Sequence, residues 1–364
     1  MWRYMDGAVG ASRRYPLQFI LRVTIFVSLV VFFINSLLNK LDHACTAAEV
    51  GLQNDASRLP SSVFAGNDTM TAPTVFFVHY VKFTPRRIPL RFLDYVSIRS
   101  ALNNVKPDKV LVHGDTEPTG PYWELLRKTG MVAHRFRQPT KTAGKTKVKF
   151  REHWADMAKL DVVLEYGGVA ADFDVYFIRG ERIKEILQTK QSITCYGDED
   201  GYNIGFVAGR KAAPLLTAWR RSYEDIYLHD WNFNQARVAR YLSILYRETN
   251  YVAGFVCNNP HPNNLYPFYK QLGVVKWESS LAVHTYYRQV GSYAEKPDDL
   301  YKHSDRNTSH VEMLISLLEG RLPAMEDGFR DEIDPLTGRL IGDAAPVTEL
   351  RKTTANIRIT DIDI

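Results

Sequence analysis

The chain has 364 residues, 45% hydrophobic and 24% charged. That is enough for one large α/β core plus appendages, because a single core rarely grows past about 250–300 residues. Forty-six basic against 41 acidic residues leave a net charge of +5, which suits an anionic small molecule but lacks the concentrated basic face of a nucleic-acid binder, so no nucleic-acid partner is expected. The three cysteines, Cys45, Cys195 and Cys257, form no Cys-x-x-Cys pair, which excludes a zinc ribbon or a thioredoxin-like motif. In an oxidising compartment Cys195 and Cys257 have the choice of one disulfide or two buried thiols.

Residues 1–16 carry Arg3, Arg13 and Arg14 and read as a cytosolic tail. The next stretch, 17–38 (LQFILRVTIFVSLVVFFINSLL), is apolar apart from Gln18, Arg22 and Asn35. As a helix it spans a thin bilayer, with Arg22 reaching the interface. Lys40 is the one lysine or arginine close behind it, so the positive-inside bias puts the body across the membrane from the cytosol. A short span fits an early secretory membrane. The expectation is a single-pass type II protein of the Golgi membrane with a lumenal body. A signal peptide cleaved within HACTAA is the competing reading. Acceptor sequons at Asn67 and Asn307 agree with a lumenal location.

Residues 39–72 are polar and aperiodic, as in a stem. The ordered domain is predicted over 73–320. TVFFVHYV, ending at Val81, reads as a buried first strand. Residues 90–105 place Phe92, Leu93, Val96 and Leu102 at helical spacing before Pro107. KVLVH (109–113) is a second strand, 120–129 a helix ended by Gly130, and MVAHRF a third strand. Strands alternating with helices predict an α/β, Rossmann-type, largely parallel sheet with helices on both faces. Residues 321–364 read as a polar tail, draped on the domain or mobile.

The stretch that carries chemistry is EHWADMAKLDVVLEYGGVAADFDVYFIR, residues 152–179. Trp154, Met157, Ala158 and Val162 recur at helical intervals, and Gly167 is suited to ending that helix. The segment VAADFDVYF is predicted as a strand, on which Asp172 and Asp174 share one face and Phe173 takes the other. Paired carboxylates of this kind grip Mg²⁺ or Mn²⁺ together with substrate phosphates. A phosphohydrolase strand with Asp172 as nucleophile is a rival, disfavoured by Gly167-Gly168 and by Val175 where a threonine is usual.

Asp156, Lys159, Gly167-Gly168 and Asp172-x-Asp174, with an interval of sixteen from Asp156 to Asp172 (172 − 156), resemble the sugar-nucleotide segment of glycosyltransferase family 32. That family includes yeast α-1,6-mannosyltransferases and animal α-1,4-galactosyl- and N-acetylglucosaminyltransferases. The looser likeness runs from Pro73 to Arg288.

The resemblance implies a GT-A-like fold and metal-dependent, retaining transfer of a hexose or N-acetylhexosamine from a nucleotide sugar, UDP- before GDP-linked, to a lumenal glycan or glycolipid. It implies Asp174, Asp172 and His284 around Mn²⁺ or Mg²⁺: Asp174 on the metal directly, Asp172 on the metal's water or the ribose, and His284 on the metal or the diphosphate. It also implies Asp156, Lys159, Tyr80, Asn203 and Gly168 around the donor, Tyr80 near the nucleotide base. A homodimer is compatible with it. Two departures stand out: Lys159 replaces an arginine fork with a point charge, and Ala170 stands where relatives have tyrosine. They leave room for a silent, membrane-anchored glycan-binding relative. Trp231, with Asn232 and Asn234, has two readings, an acceptor-sugar platform or a buried structural tryptophan, the latter being the plainer. The basic run Lys141–Lys149 reads as a solvated loop or as a diphosphate contact.

Overall fold

The computed structural model describes residues 75–198, 201–263, 265–290, 294–302, 308–324 and 331–341. The predicted cytosolic tail, anchor and stem, together with Asn67 and Asn307, lie outside these residues. Among the described residues no helix is long and apolar enough to cross a membrane.

Strands β1 (Phe77–Val81), β2 (Lys109–Gly114) and β3 (Val132–Phe136) run parallel, and β6 (Gly168–Ala171) joins β1 from the other side, also parallel. Beyond β6 the sheet continues through β10 (Phe206–Gly209), β8 (Ser192–Asp198) and β11 (Asn250–Ala253), with β9 (Gly201–Tyr202) paired to β8. The expected parallel order is broken at β10, which is antiparallel to both neighbours. The reason is chain length. Only residues 199–205 separate β8 from β10, too few for the crossover that parallel pairing needs. Two small elements stand apart: the hairpin of β4 (Thr142–Ala143) and β5 (Thr146–Lys147), and an antiparallel pair of β7 (Val175–Phe177) with β12 (Ala282–His284).

The period-2 alternation of β6 decides what covers each face. Val169 and Ala171 pack with Ile98, Trp123, Leu126 and Ile183, which come from α1 (Phe92–Ser100), α2 (Pro121–Lys128) and α4 (Glu181–Thr189). Ala170 points the other way, into Met157, Leu160, Leu216 and Trp219 of α3 (Arg151–Tyr166) and α5 (Pro214–Asp225). A third cluster joins Tyr176 and Val283 of the small sheet to Met313 and Leu314 of α6 (Ser309–Glu319).

Part of the predicted tail is draped on the domain. Glu332 bridges Ala253 at the end of β11, and the Phe255 N–H donates to Asp331 Oδ1 at 2.6 Å. The packed body therefore extends past residue 320.

Candidate functional site

The site is built where α3 turns back into the sheet. Gly167 ends α3 at φ +74°, and Gly168 follows at φ +100°. A Cβ on Gly168 would lie 2.1 Å from the Phe77 carbonyl oxygen, so β6 can pair with β1 only if this residue has no side chain. Gly168 sits at the far end of β6 from Asp172 and lines neither cavity described below. It serves the packing of β6 on β1.

The predicted continuous strand is interrupted at the acidic motif. β6 stops at Ala171, the Asp172 N–H donates to Gly205 O (2.8 Å), and the Val175 N–H returns to Asp172 O (3.0 Å). Asp172, Phe173 and Asp174 form a turn that passes the chain from the main sheet to β7. Strand alternation therefore does not bring the carboxylates together. The turn and the pairing of β7 with β12 do, and the same pairing delivers His284. One ligand atom from each of Asp172, Asp174 and His284 lies within 4.8 Å of the others.

The donor set fits a divalent cation. His284 Nε2 lies 3.2 Å from Asp174 Oδ1, but the alignment makes no hydrogen bond, and Asp174 Oδ1 and His284 Nδ1 are both buried without hydrogen-bond partners. Buried polar atoms left unpaired are costly unless something else satisfies them. Burial raises the Asp174 carboxyl, yet His284 and then Arg288 outweigh it and hold the group below its ordinary range, the state a metal requires.

Tyr286 and Gly205 pack against the His284 ring. It lies on Tyr286 at 3.9 Å between centroids with 29° between planes. Tyr286 has φ +51°, uncommon for a bulky residue. Its hydroxyl donates to Cys257 O (2.6 Å) and accepts from Asn203 Nδ2 (3.2 Å). Gly205 is also close to the ring: a Cβ there would meet the imidazole at 2.5 Å. Asn203 Oδ1 accepts the Gly205 N–H at 2.6 Å, so Asn203 organises this wall while also lining a cavity. Cys195 and Cys257 are joined in a disulfide, and the adjacent Val256 O accepts the His284 N–H (2.8 Å).

Asp156 and Lys159 do not form the surface ion pair that i,i+3 spacing implies. Lys159 is 1% exposed. Its ammonium donates to Asp172 Oδ1 and Ile204 O, both at 2.9 Å, and lies 3.2 Å from Asp156 Oδ1. With three acceptors around three donors, Lys159 lines neither cavity and holds Asp172 in place instead of touching a ligand. Asp156 does line both cavities. Burial pushes its carboxyl up to about 6, with Lys159 opposing and Asp172 reinforcing.

Tyr80 is also displaced from its expected role. It is fully buried on β1, accepting from Ser97 Oγ (3.1 Å) with its ring 4.9 Å from Phe173, so it supports the acidic turn from below. Trp231, by contrast, is 46% exposed and lines a cavity, whereas Asn234 is buried and bonds the Leu228 N–H and Ser222 O. Arg288, Tyr286, Gly205 and Glu152 were not legible as site residues. Arg288 follows β12 in sequence, but only the β7–β12 pairing sets it beside the acids.

Two cavities meet at Glu152, Asp156, Asp172 and Arg288. One, of about 570 Å³, runs along the end of β1 and is lined by Lys82, Arg91, Arg151 and Arg288 together with Phe173 and Trp154. The other, of about 500 Å³, has Arg288 as its one lysine or arginine and holds Asp174, His284, Trp231 and several amides.

No family model matches the chain. It is 32% identical over 106 residues to glucan organizing enzyme 1 of Cryptococcus neoformans var. grubii serotype A, covering 27% of this chain and 28% of that protein. The chain thus spans little more than a quarter of the length of that curated relative. Among solved structures it is similar to the galactosyltransferase LgtC in complex with donor and acceptor sugar analogs, at 13% identity and a TM-score of 0.35, covering 69% of this chain and 98% of that one. It is also similar to the glycosyltransferase GlyE of Streptococcus pneumoniae TIGR4, at 11% identity and a TM-score of 0.35, covering 70% and 66%. Likeness at these scores carries no argument about the chemistry of this chain.

Proposed function

We propose that this protein is a metal-dependent glycosyltransferase of the family 32 type, transferring a hexose or N-acetylhexosamine from a nucleotide sugar to a glycan or glycolipid. The observation that carries the reading is the Asp172–Asp174–His284 cluster, which stands in one cavity and, through Asp172, borders a second that is lined by four basic side chains. A nucleoside diphosphate leaving group brings negative charge that Lys82, Arg91, Arg151 and Arg288 are placed to neutralise. Asp172, Asp174 and His284 would hold Mn²⁺ or Mg²⁺, and a bound ion of this kind supplies Lewis-acid charge to departing phosphate oxygens. Lys159 keeps Asp172 oriented. Asp156, at the junction, accepts hydrogen bonds from sugar hydroxyls, so that positioning contributes much of the rate.

Retention of anomeric configuration and the UDP-linked donor follow from the family reading; the lumenal, type II placement in the Golgi membrane follows from the apolar stretch 17–38 and the arginines that precede it. The name of the curated relative described above concerns glucan, so glucan oligosaccharides belong among the acceptors to be tried.

One observation favours a second reading. Lys159 is wholly engaged by protein acceptors where the family's arginine faces the donor, which suits a catalytically silent glycan binder. Full-length protein in detergent, incubated with UDP- and GDP-sugars with and without Mn²⁺, separates the two. Metal-dependent nucleotide release that falls at least a hundredfold in Asp174→Asn supports the transferase. Ligand binding with no release from any donor sinks it.

A further inference from the structure

The two cavities differ in chemistry as well as in place. The cavity along β1 has four basic residues and no amide side chain in its wall. The other cavity has Arg288 as its one lysine or arginine; beside the acids and His284 at the cation cluster, its wall carries five amides: Asn203, Asn232, Gln235, Asn263 and Gln289. Amides donate and accept without charge, so they match neutral hydroxyls and not a diphosphate.

Trp231 stands in the wall of the amide cavity with nearly half its surface exposed. Its open face offers apolar surface that a ligand entering the cavity can cover. This ring is held rigidly in that posture. Phe150 meets it edge-on at 5.2 Å and 84°, and His153 lies against it at 5.6 Å and 35°. His153 Nε2 contacts Trp231 O (3.2 Å), while its Nδ1 is 3.0 Å from Tyr227 OH. Asp230 Oδ1 accepts the N–H groups of Asn232 (2.8 Å) and Phe233 (2.9 Å), fixing the backbone that carries the indole. Asn232 Oδ1 in turn accepts from Gln235 Nε2 (3.2 Å).

A preorganised aromatic surface among neutral hydrogen-bonding groups is the chemistry that recognises a pyranose. Its C–H face packs on the ring and its hydroxyls meet the amides. We propose that the Trp231 cavity is a subsite for a neutral pyranose, the acceptor sugar, facing the donor across Asp156 and Asp172. The acceptor assignment rests on the transferase reading above; the affinity for a neutral sugar does not.

The test uses saturation-transfer NMR and calorimetry on full-length protein in detergent with Mn²⁺ and UDP. Laminaritriose, maltotriose, lactose and chitotriose are the neutral probes, and trigalacturonate is the acidic control. At least one neutral probe is expected to bind through its ring protons, in preference to trigalacturonate. Trp231→Ala weakens it at least tenfold while UDP affinity changes less than twofold, and Trp231→Phe, which keeps an aromatic surface, stays within about threefold of the parent.

The subsite is overturned if no neutral probe binds, if Trp231→Ala binds sugar like the parent, or if it loses UDP affinity to the same extent. A Trp231-dependent sugar site in a protein that releases no nucleotide from any donor upholds the subsite while removing the transferase reading.

Discussion

Lys159 and Asp172, on α3 and on the acidic turn, are joined by a hydrogen bond of 2.9 Å from a lysine that is 1% exposed. Burying an ammonium is expensive, and here two carboxylates and a carbonyl offset the cost. The pair ties α3 to the acidic turn and to a carboxylate of the candidate cation cluster, although the lysine side chain lines neither cavity.

Lys159→Met therefore leaves Asp156 and Asp172 facing each other without their shared cation. Removing one partner of a buried pair costs about 3–5 kcal/mol, and thermal unfolding near neutral pH reads this as a drop in Tm of several degrees. The deficit shrinks toward pH 4, where Asp156, whose carboxyl sits at about 6 in the fold, takes up a proton. A deficit independent of pH would show that the carboxylates are not its source.

Gly168→Ala and Gly205→Ala separate two kinds of glycine. The first puts a methyl 2.1 Å from backbone at a positive φ, so it lowers stability by several kcal/mol, with loss of folded protein at 37 °C. The second pushes on the His284 imidazole. It is expected to keep the fold, as circular dichroism would show, and to weaken Mn²⁺ binding about tenfold by calorimetry. Unchanged Mn²⁺ affinity would remove His284 from the ligand set.

Reducing Cys195–Cys257, or replacing both residues by serine, releases a 62-residue loop and costs about 2–5 kcal/mol. Val256 and Cys257 supply the carbonyls that hold His284 and Tyr286, so Mn²⁺ affinity should fall together with Tm. A lower Tm with metal binding intact would confine the disulfide to stability alone.

Asp331 gives the pH dependence a sign. Burial, opposed by the Phe255 and Gly254 N–H groups, pushes its carboxyl up to about 8. The folded state therefore keeps a proton that the unfolded chain sheds above pH 4. Its contribution to stability is full below pH 4 and lost as pH rises toward 8. Asp331→Asn is expected to have the higher Tm at pH 8, with the gap closing by pH 4. A constant gap across that range would place the ionisation elsewhere.

What the sequence determined alone is the set of local events. Period-2 and helical hydrophobic spacing located the strands and helices around the sheet, glycine at 167 marked the end of α3, and the spacing of Asp156, Lys159 and Asp172 marked the site. These depend on neighbours within a few turns of chain. The tertiary structure decided everything that needed two distant segments to meet. It reversed β10, since residues 199–205 are too short to cross over. It broke the predicted strand into a turn at Asp172 and set His284 and Arg288 beside it through β12. It sent Tyr80 and Gly168 into packing, buried Lys159, and left Trp231 exposed. Side-chain type cannot report these outcomes, because burial and partner are properties of the space between elements and not of any one of them.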